Sequence, residues 1–221
     1  MKIIEKAVKK GQKALSEYES KKFLASYKIP TVKEGLATNK KEAVAIAKKI
    51  GFPVVLKGCA PEITHKTELN LVKLNISNEK ELASAYKEIQ GKADALDGVL
   101  VQKMVKAARE LVIGLTRDPQ FGPCVMFGLG GIMTEILKDV SFRVAPLELR
   151  DAREMVREIK AHKILDDFRG EGPVDLDILC NCLISVGKIG LDYEQVKEID
   201  INPLLVAKGK PVAVDALVVL Q

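Results

Sequence analysis

Apolar and polar positions along this chain switch between a helical period and a strand period, and the switches mark its elements. Over roughly 13–28, Leu15, Phe23, Leu24 and Tyr27 fall on one side of a helix. KIPTVKEGLA then reads as a turn and a short strand. A second helix, capped by Asn39 or Thr38, runs through Ile50 with Ala43, Val44, Ala47 and Ile50 at helical spacing, and Gly51 ends it. PVVLK is a short, continuous apolar run of the buried-strand kind, and LVKLNI is a further strand. Asn78 caps another helix carrying Leu82, Ala85, Tyr86 and Ile89, and GVLVQKMV is again a strand.

The second half opens on RELVIGLTRDPQFG, whose alternation over 110–115 predicts a half-exposed antiparallel strand. PCVMFGLGGIMTEIL places two apolar runs around a glycine cluster. Charged and apolar helices are expected over about 151–162 and 175–190. The chain closes with VKEIDINPLLV and PVAVDALVVL, two strands around a Gly-Lys-Pro turn. No repeat and no low-complexity linker appears. The pattern predicts an α/β chain of two subdomains, 1–106 with its leading helix and 107–221, forming one functional unit.

Composition narrows the classes. With 47% hydrophobic residues among 221, the chain can bury a core, and 29% charged residues keep it soluble, which excludes a disordered chain. A net charge of +5 leans toward anionic ligands. Aromatics are only 5%, however, Trp is absent and Lys is spread along helix faces, whereas a nucleic-acid reader clusters basic residues among aromatics. No nucleic-acid partner is therefore expected. Cys59, Cys124, Cys180 and Cys182 make no Cys-x-x-Cys pair and the two histidines stand far apart, against structural zinc. Each cysteine lies in or beside an apolar run, as a small buried thiol does. Lysines run through MKIIEKAVKKGQKAL and no apolar run can cross a bilayer, so the expectation is cytoplasmic, with no membrane partner.

Several stretches carry candidate chemistry. Lys57 ends a buried strand ahead of Gly58, where an ammonium can sit over phosphate oxygens or simply snorkel to the surface. His65, beside Lys66, can be a nucleophile, a proton carrier or a hydrogen-bond partner of phosphate, or an ordinary polar loop residue. GLGG at 128–131 permits a tight turn whose N–H groups cradle an anion. It is neither the dinucleotide fingerprint nor a P-loop, and a plain turn explains it as well. Arg143 adds either a phosphate fork or a surface ion pair. In EIDINP, Glu198, Asp200 and Asn202 share one side of a strand while Ile199 and Ile201 face a core, and Pro203 ends regular pairing. Asp215 follows on the next strand. Carboxylate and amide oxygens on adjacent strands suit Mg²⁺ holding nucleotide phosphates; a polar strand face with an edge proline is the bland alternative. His162 reads as a helix-end residue.

Taken in order, IGFPVVLKGCAPEITHKTE, GVLVQKMV, RELVIGLTRDPQFGPCVMFGLGGIMTEILKDVSFRVAPL, LDDFRGEGPVDLD and EIDINPLLV closely resemble the β subunit of ADP-forming acyl-CoA (acetyl-CoA) synthetases, over about residues 20–220. This family is related to the nucleotide subunit of succinyl-CoA synthetase. The resemblance implies an ATP-grasp fold of α/β (α+β) class, with ADP or ATP in the cleft between two subdomains. It implies that Lys57 holds phosphate, that Gln102, Lys103, Met104 and Val105 line the adenine, and that Glu110 bonds the ribose. Gly128, Gly130, Gly131 and Arg143 stand as phosphate-loop candidates. Asn202 and Asp215 would bind Mg²⁺, Asp200 would orient a phosphohistidine, and His65 matches the histidine implicated in phosphoryl transfer. One departure stands out. The family's Ser-Asp-x-Gly-Gly-Val is here Thr67-Glu68-Leu69-Asn70-Leu71-Val72; Asn70 tolerates positive φ and Leu71 resists it.

The implied reaction is acyl-CoA + ADP + phosphate ⇌ acid + CoA + ATP, with a CoA-binding α subunit in an α2β2 heterotetramer and Mg²⁺ as cofactor. A non-catalytic nucleotide sensor and an ATP-grasp ligase joining a carboxylate to an amine are the rival readings. The retained His65, Asp200, Asn202 and Asp215 favour catalysis.

Overall fold

The computed structural model describes residues 2–61, 69–92, 96–131, 139–168 and 170–221. The expectation for His65 lies outside these residues, as does that for the apolar run after the glycine cluster. The chain separates into two compact units.

The smaller unit comprises 16–19 and 32–105. Its sheet has the order β1 (Glu34–Ala37), β4 (Gly98–Lys103), β2 (Val54–Cys59), β3 (Val72–Ile76), with every neighbouring pair antiparallel. Helices α3 (Lys40–Ile50) and α4 (Glu79–Gln90) bury Ala43, Ala47, Leu82 and Ile89 against Leu56, Val99 and Val101. Both helices start on reciprocal caps. Asn39 Oδ1 accepts from Glu42 N–H at 3.0 Å while the Glu42 carboxylate takes the Thr38 N–H and hydroxyl. Asn78 and Glu81 repeat the arrangement with Ser77. Gly51, at φ 86°, stops α3. All six residues of β2 are buried, as its unbroken apolar run predicts.

The larger unit comprises 2–15, 20–31 and 106–221. Its sheet runs β10 (Leu217–Leu220), β8 (Val196–Ala207), β5 (Arg109–Asp118), β6 (Gly122–Leu129), β7 (Val140–Val144), and β9 (Lys210–Ala213) also pairs with β8. Helix α5 (Leu149–Glu158) and helix α6 (Leu176–Asp192), capped by Asp175, pack Met155, Leu179, Leu183 and Val186 against Ile113, Phe127 and Ile201. Residues before the first strand contribute Ile4, Leu15, Phe23, Leu24 and Ile29 to this same core. The segments 2–15 and 20–31 therefore pack with the second half of the chain, not with the first half in which sequence order places them.

Other departures have local causes. The expected helix over 13–28 is α2 (Glu17–Ser26), preceded by a separate helix α1 (Lys2–Lys9). Residues 13–15 are drawn into strand-like pairing, with Leu15 N–H on Val218 O and Leu220 N–H on Lys13 O, and Ser16 with Glu19 forms the cap that starts α2. Strand β5 is buried from Leu111 to Leu115 instead of half-exposed, because it is central in its sheet. The closing segment makes two strands, β9 and β10, where one was expected. Pro203 does break the regular pairing of β8, whose register with β5 shifts there, but the strand itself runs on to Ala207.

Candidate functional site

In the smaller unit, Lys57 is neither exposed nor snorkelling. Its Nζ lies 2.7 Å from Glu17 Oε1, and the two side chains keep 7% and 1% exposure. Such a pair overcomes its desolvation only with good geometry, and 2.7 Å provides it. Gln102 is buried near the end of β4. Lys103 spends its ammonium on the Gly51 and Phe52 carbonyls at 2.7 and 3.1 Å. Its N–H goes to Lys33 O, and the Met104 N–H goes to Pro53 O. A base contact from Lys103 or Met104 thus falls to their carbonyls. Asn70 adopts φ 53°, and Leu71 is fully buried with its carbonyl accepting from Gly58 N–H at 2.8 Å. Asparagine fills the left-handed position where the family pattern has glycine, and leucine becomes core.

In the larger unit, the glycine cluster forms because strands crowd it. Gly130 N–H donates to Glu110 O at 2.8 Å, and a Cβ at Gly130 would run into the Leu111 main chain. Gly131, at φ 63°, donates its N–H to Asn202 Oδ1 at 3.1 Å. The turn thereby fixes Asn202. A Cβ at Gly131 would strike the Glu110 carboxylate, so the half-buried glycine and the exposed glutamate lie side by side.

Strand β8 organises the rest. Ile199 and Ile201 are buried while Glu198, Asp200 and Asn202 are not, which is the alternation that EIDINP predicts. Along one edge β8 pairs with β5; along the other it pairs first with β10, through 196–200, and then with β9, through 204–207. Asp215 lies in the interruption between β9 and β10, level with Asn202 and Pro203, and Val214 N–H reaches Pro203 O at 3.4 Å. The Asn202–Pro203 peptide is cis. Burial, then the charges of Glu198 and Asp215, push the Asp200 carboxyl up to about 6. Glu198 and Asp215 thus lie close enough to Asp200 for their charges to act on it, and amide and carboxylate oxygens are the hard donors Mg²⁺ takes. Among the described residues, no three His, Cys, Asp or Glu side chains group tightly enough to hold a metal by themselves. An ion on Asn202 and Asp215 would need its remaining ligands from phosphate and water.

Arg143 is held elsewhere. Its guanidinium is 2.8 Å from Glu158 and 3.9 Å from Glu154 on α5, so the structure does not bring it to the glycine turn. His162 lies exposed in a short 3-10 helix with Nδ1 3.1 Å from Ile159 O. The thiols of Cys59, Cys180 and Cys182 are buried, whereas Cys124 is only partly so. Two residues escaped the sequence reading. Glu17 is legible afterwards as an acid in the first turn of α2. Arg109, fully buried, donates to the carbonyls of Ile164, Asp166 and Gly172, and no local pattern announced it.

A model of the ATP-grasp domain family matches residues 6–220. Acetate–CoA ligase [ADP-forming] I subunit beta of Pyrococcus furiosus is 47% identical over 99% of this chain and 96% of its own length. Acetate–CoA ligase [ADP-forming] I of Archaeoglobus fulgidus is 45% identical over 99% of the chain, which spans 32% of that longer protein. A solved structure of acetyl-coenzyme A synthetase 1 from Ca. Korarchaeum cryptofilum, in complex with coenzyme A and Mg-AMPPCP, superposes with a TM-score of 0.89 at 45% identity, over 100% of this chain and 99% of that one. Its phosphohistidine segment points towards the nucleotide binding site.

Proposed function

Because the chain belongs to the ATP-grasp family and, within it, to the β subunits of ADP-forming acid–CoA ligases, we propose that it takes the phosphoryl group of a phosphohistidine on a CoA-binding α subunit and passes it to ADP. The overall change is acyl-CoA + ADP + phosphate ⇌ acid + CoA + ATP, in a cytoplasmic α2β2 assembly. One observation carries the reading: Asp200, Asn202 and Asp215 gather at the interruption between β9 and β10, beside the glycine turn that fixes Asn202. A module that only senses nucleotide has no use for a half-buried carboxylate on β8 that can take a ring N–H.

The work of such a site is positioning and charge neutralisation, since the transferred phosphoryl spreads negative charge over its oxygens. On the smaller unit, Lys57 supplies positive charge to phosphate, with Glu17 holding the ammonium in place, while Gln102, Lys103, Met104 and Val105 face the base. On the larger unit, Glu110 takes the ribose hydroxyls and the N–H groups of the Gly128–Gly131 turn face phosphate oxygens. Asn202 and Asp215 would hold Mg²⁺, which when bound would neutralise phosphate charge. Asp200 accepts the ring N–H of the incoming phosphohistidine and keeps its tautomer. Its P–N bond breaks as a P–O bond to the terminal oxygen of ADP forms, and the electron pair stays on the ring nitrogen. His65 is assigned on sequence alone, as a second carrier of the phosphoryl group or a donor to it. Arg143, tied to α5, takes no part in this scheme.

The test is reconstitution with the cognate α subunit. ATP formation from acyl-CoA, ADP and phosphate is expected from the pair and from neither subunit alone. His65→Ala is expected to keep Mg-ADP binding and to lose ATP formation. Full turnover by this polypeptide without a partner would overturn the proposal, and near-normal turnover of His65→Ala would return that residue to an ordinary loop position.

A further inference from the structure

Gly114 stands in the middle of β5, level with Met126 on β6 and with Asp200 on β8. The backbone has no need of a glycine there. Its φ is not positive, and the register shift of β5 lies earlier, between Leu111 and Ile113. The nearest main-chain atom to a Cβ built at 114, the Ile199 carbonyl oxygen, is at an ordinary 3.5 Å. Gly128 is different, because a Cβ there would stand 2.7 Å from the Asp139 carbonyl oxygen. Glycine inside a strand is destabilising relative to alanine. Something other than the main chain accounts for it.

The closest atom to that Cβ position is the terminal methyl of Met126, at 3.1 Å. Residues level with one another on adjacent strands project from the same face of the sheet. The Met126 thioether therefore lies down across the glycine, on the face of the sheet that carries Asp200.

We propose that Gly114 is a socket for Met126, which keeps the approach to Asp200 clear for the incoming phosphohistidine ring and gives that ring a polarizable wall. The inference rests on the reading of Asp200 given above. A side chain at 114 lifts the thioether into the path of the ring, whereas the flat methionine meets its edge in a favourable sulfur–aromatic contact. Gly114 and Met126 are positioning residues: the proton and the phosphoryl group move as already described.

The experiment compares Gly114→Val, Gly114→Ala and Gly114→Val with Met126→Ala in the reconstituted complex. Gly114→Val is expected to lower the rate of ATP formation about 10²-fold, the scale of a misplacement of an ångström. The KM for ADP and the phosphorylation of the α-subunit histidine by acyl-CoA and phosphate are expected to stay as in wild type. Adding Met126→Ala is expected to restore about tenfold of the loss, which a merely structural role of Gly114 would not produce. Should Gly114→Val fail to fold, Gly114→Ala, alone and with Met126→Ala, carries the comparison with a smaller but measurable loss, because its Cβ pushes the methionine end up by a few tenths of an ångström. Wild-type rates in a folded Gly114 variant overturn the inference alone, as does a double variant with no recovery. A wild-type complex that makes no ATP overturns the functional reading, and this inference falls with it.

Discussion

Asp200 stores a charge the fold does not welcome. Its carboxyl is raised from an ordinary 3.8 to about 6, first by burial and then by Glu198 and Asp215. The folded protein therefore holds a proton that the unfolded chain releases near 4, and stability falls as pH rises through the window from about 4 to 6. Asp200→Asn is expected to raise the unfolding free energy of the metal-free protein at pH 7.5, by at most about 3 kcal/mol, and to have no such effect at pH 4; a gain at both pH values contradicts the linkage. Lys57 and Glu17 make the opposite case, two charges that need one another. Glu17→Gln is expected to lose on the order of 3 kcal/mol in urea unfolding. Lys57→Met with Glu17→Leu should recover most of that stability and still bind Mg-ADP poorly, which separates the structural role of the pair from its role toward phosphate. EIDINP disclosed the alternation of Glu198, Asp200 and Asn202 because a two-residue period is local. Glu17 lies forty residues from Lys57, and no spacing in the sequence could join them.

At the level of elements, boundaries were legible where a cap or a breaker is local and obscure where distant pairing decides. Asn39, Asn78 and Gly51 mark their helices because their partners lie within four residues. The start of α2 was misjudged because Leu15 and Lys13 answer to Val218 and Leu220 at the other end of the chain. The full burial of β5 follows from its central place in the sheet, which its own alternation does not disclose. Arg109, the first residue of β5, collects the carbonyls of Ile164, Asp166 and Gly172, while its Nε finds no partner among the described residues. Removing it strands several acceptors at once. Arg109→Leu is expected to cost about 3–5 kcal/mol in unfolding free energy. Arg109→Lys should recover less than half of this, because one ammonium cannot spread to three carbonyls as the guanidinium fork does. Full recovery by lysine would show that charge alone matters.

Over the whole chain, the larger unit is discontinuous in sequence. Its core takes Ile4, Leu15, Phe23, Leu24 and Ile29 from segments that precede every strand of the smaller unit. A chain starting at residue 32 keeps the entire sheet of the smaller unit, yet it removes these side chains, each worth roughly 1.5–3 kcal/mol when fully buried. That truncation is expected to be insoluble or to lack a cooperative thermal transition by circular dichroism. A sharp transition near the full-length Tm would contradict this account of the core. The family could be read from long quoted runs, since many side chains matched in order. The assignment of the opening residues could not, because hydrophobic spacing says which face of a helix is buried but not against what.

The broken outer neighbour of β8 gives the C-terminus unusual leverage. Asp215 hangs on the short connector between β9 and β10, while Asn202 belongs to a twelve-residue strand anchored on its other side by β5. A bulky fusion after Gln221 that tugs on the last four-residue strand would peel it away from 196–200 and drag the aspartate off its amide companion. The magnesium affinity proposed for this pair would then fade while β8 kept its pairing with β5, so a tag is better carried at the other end of the chain.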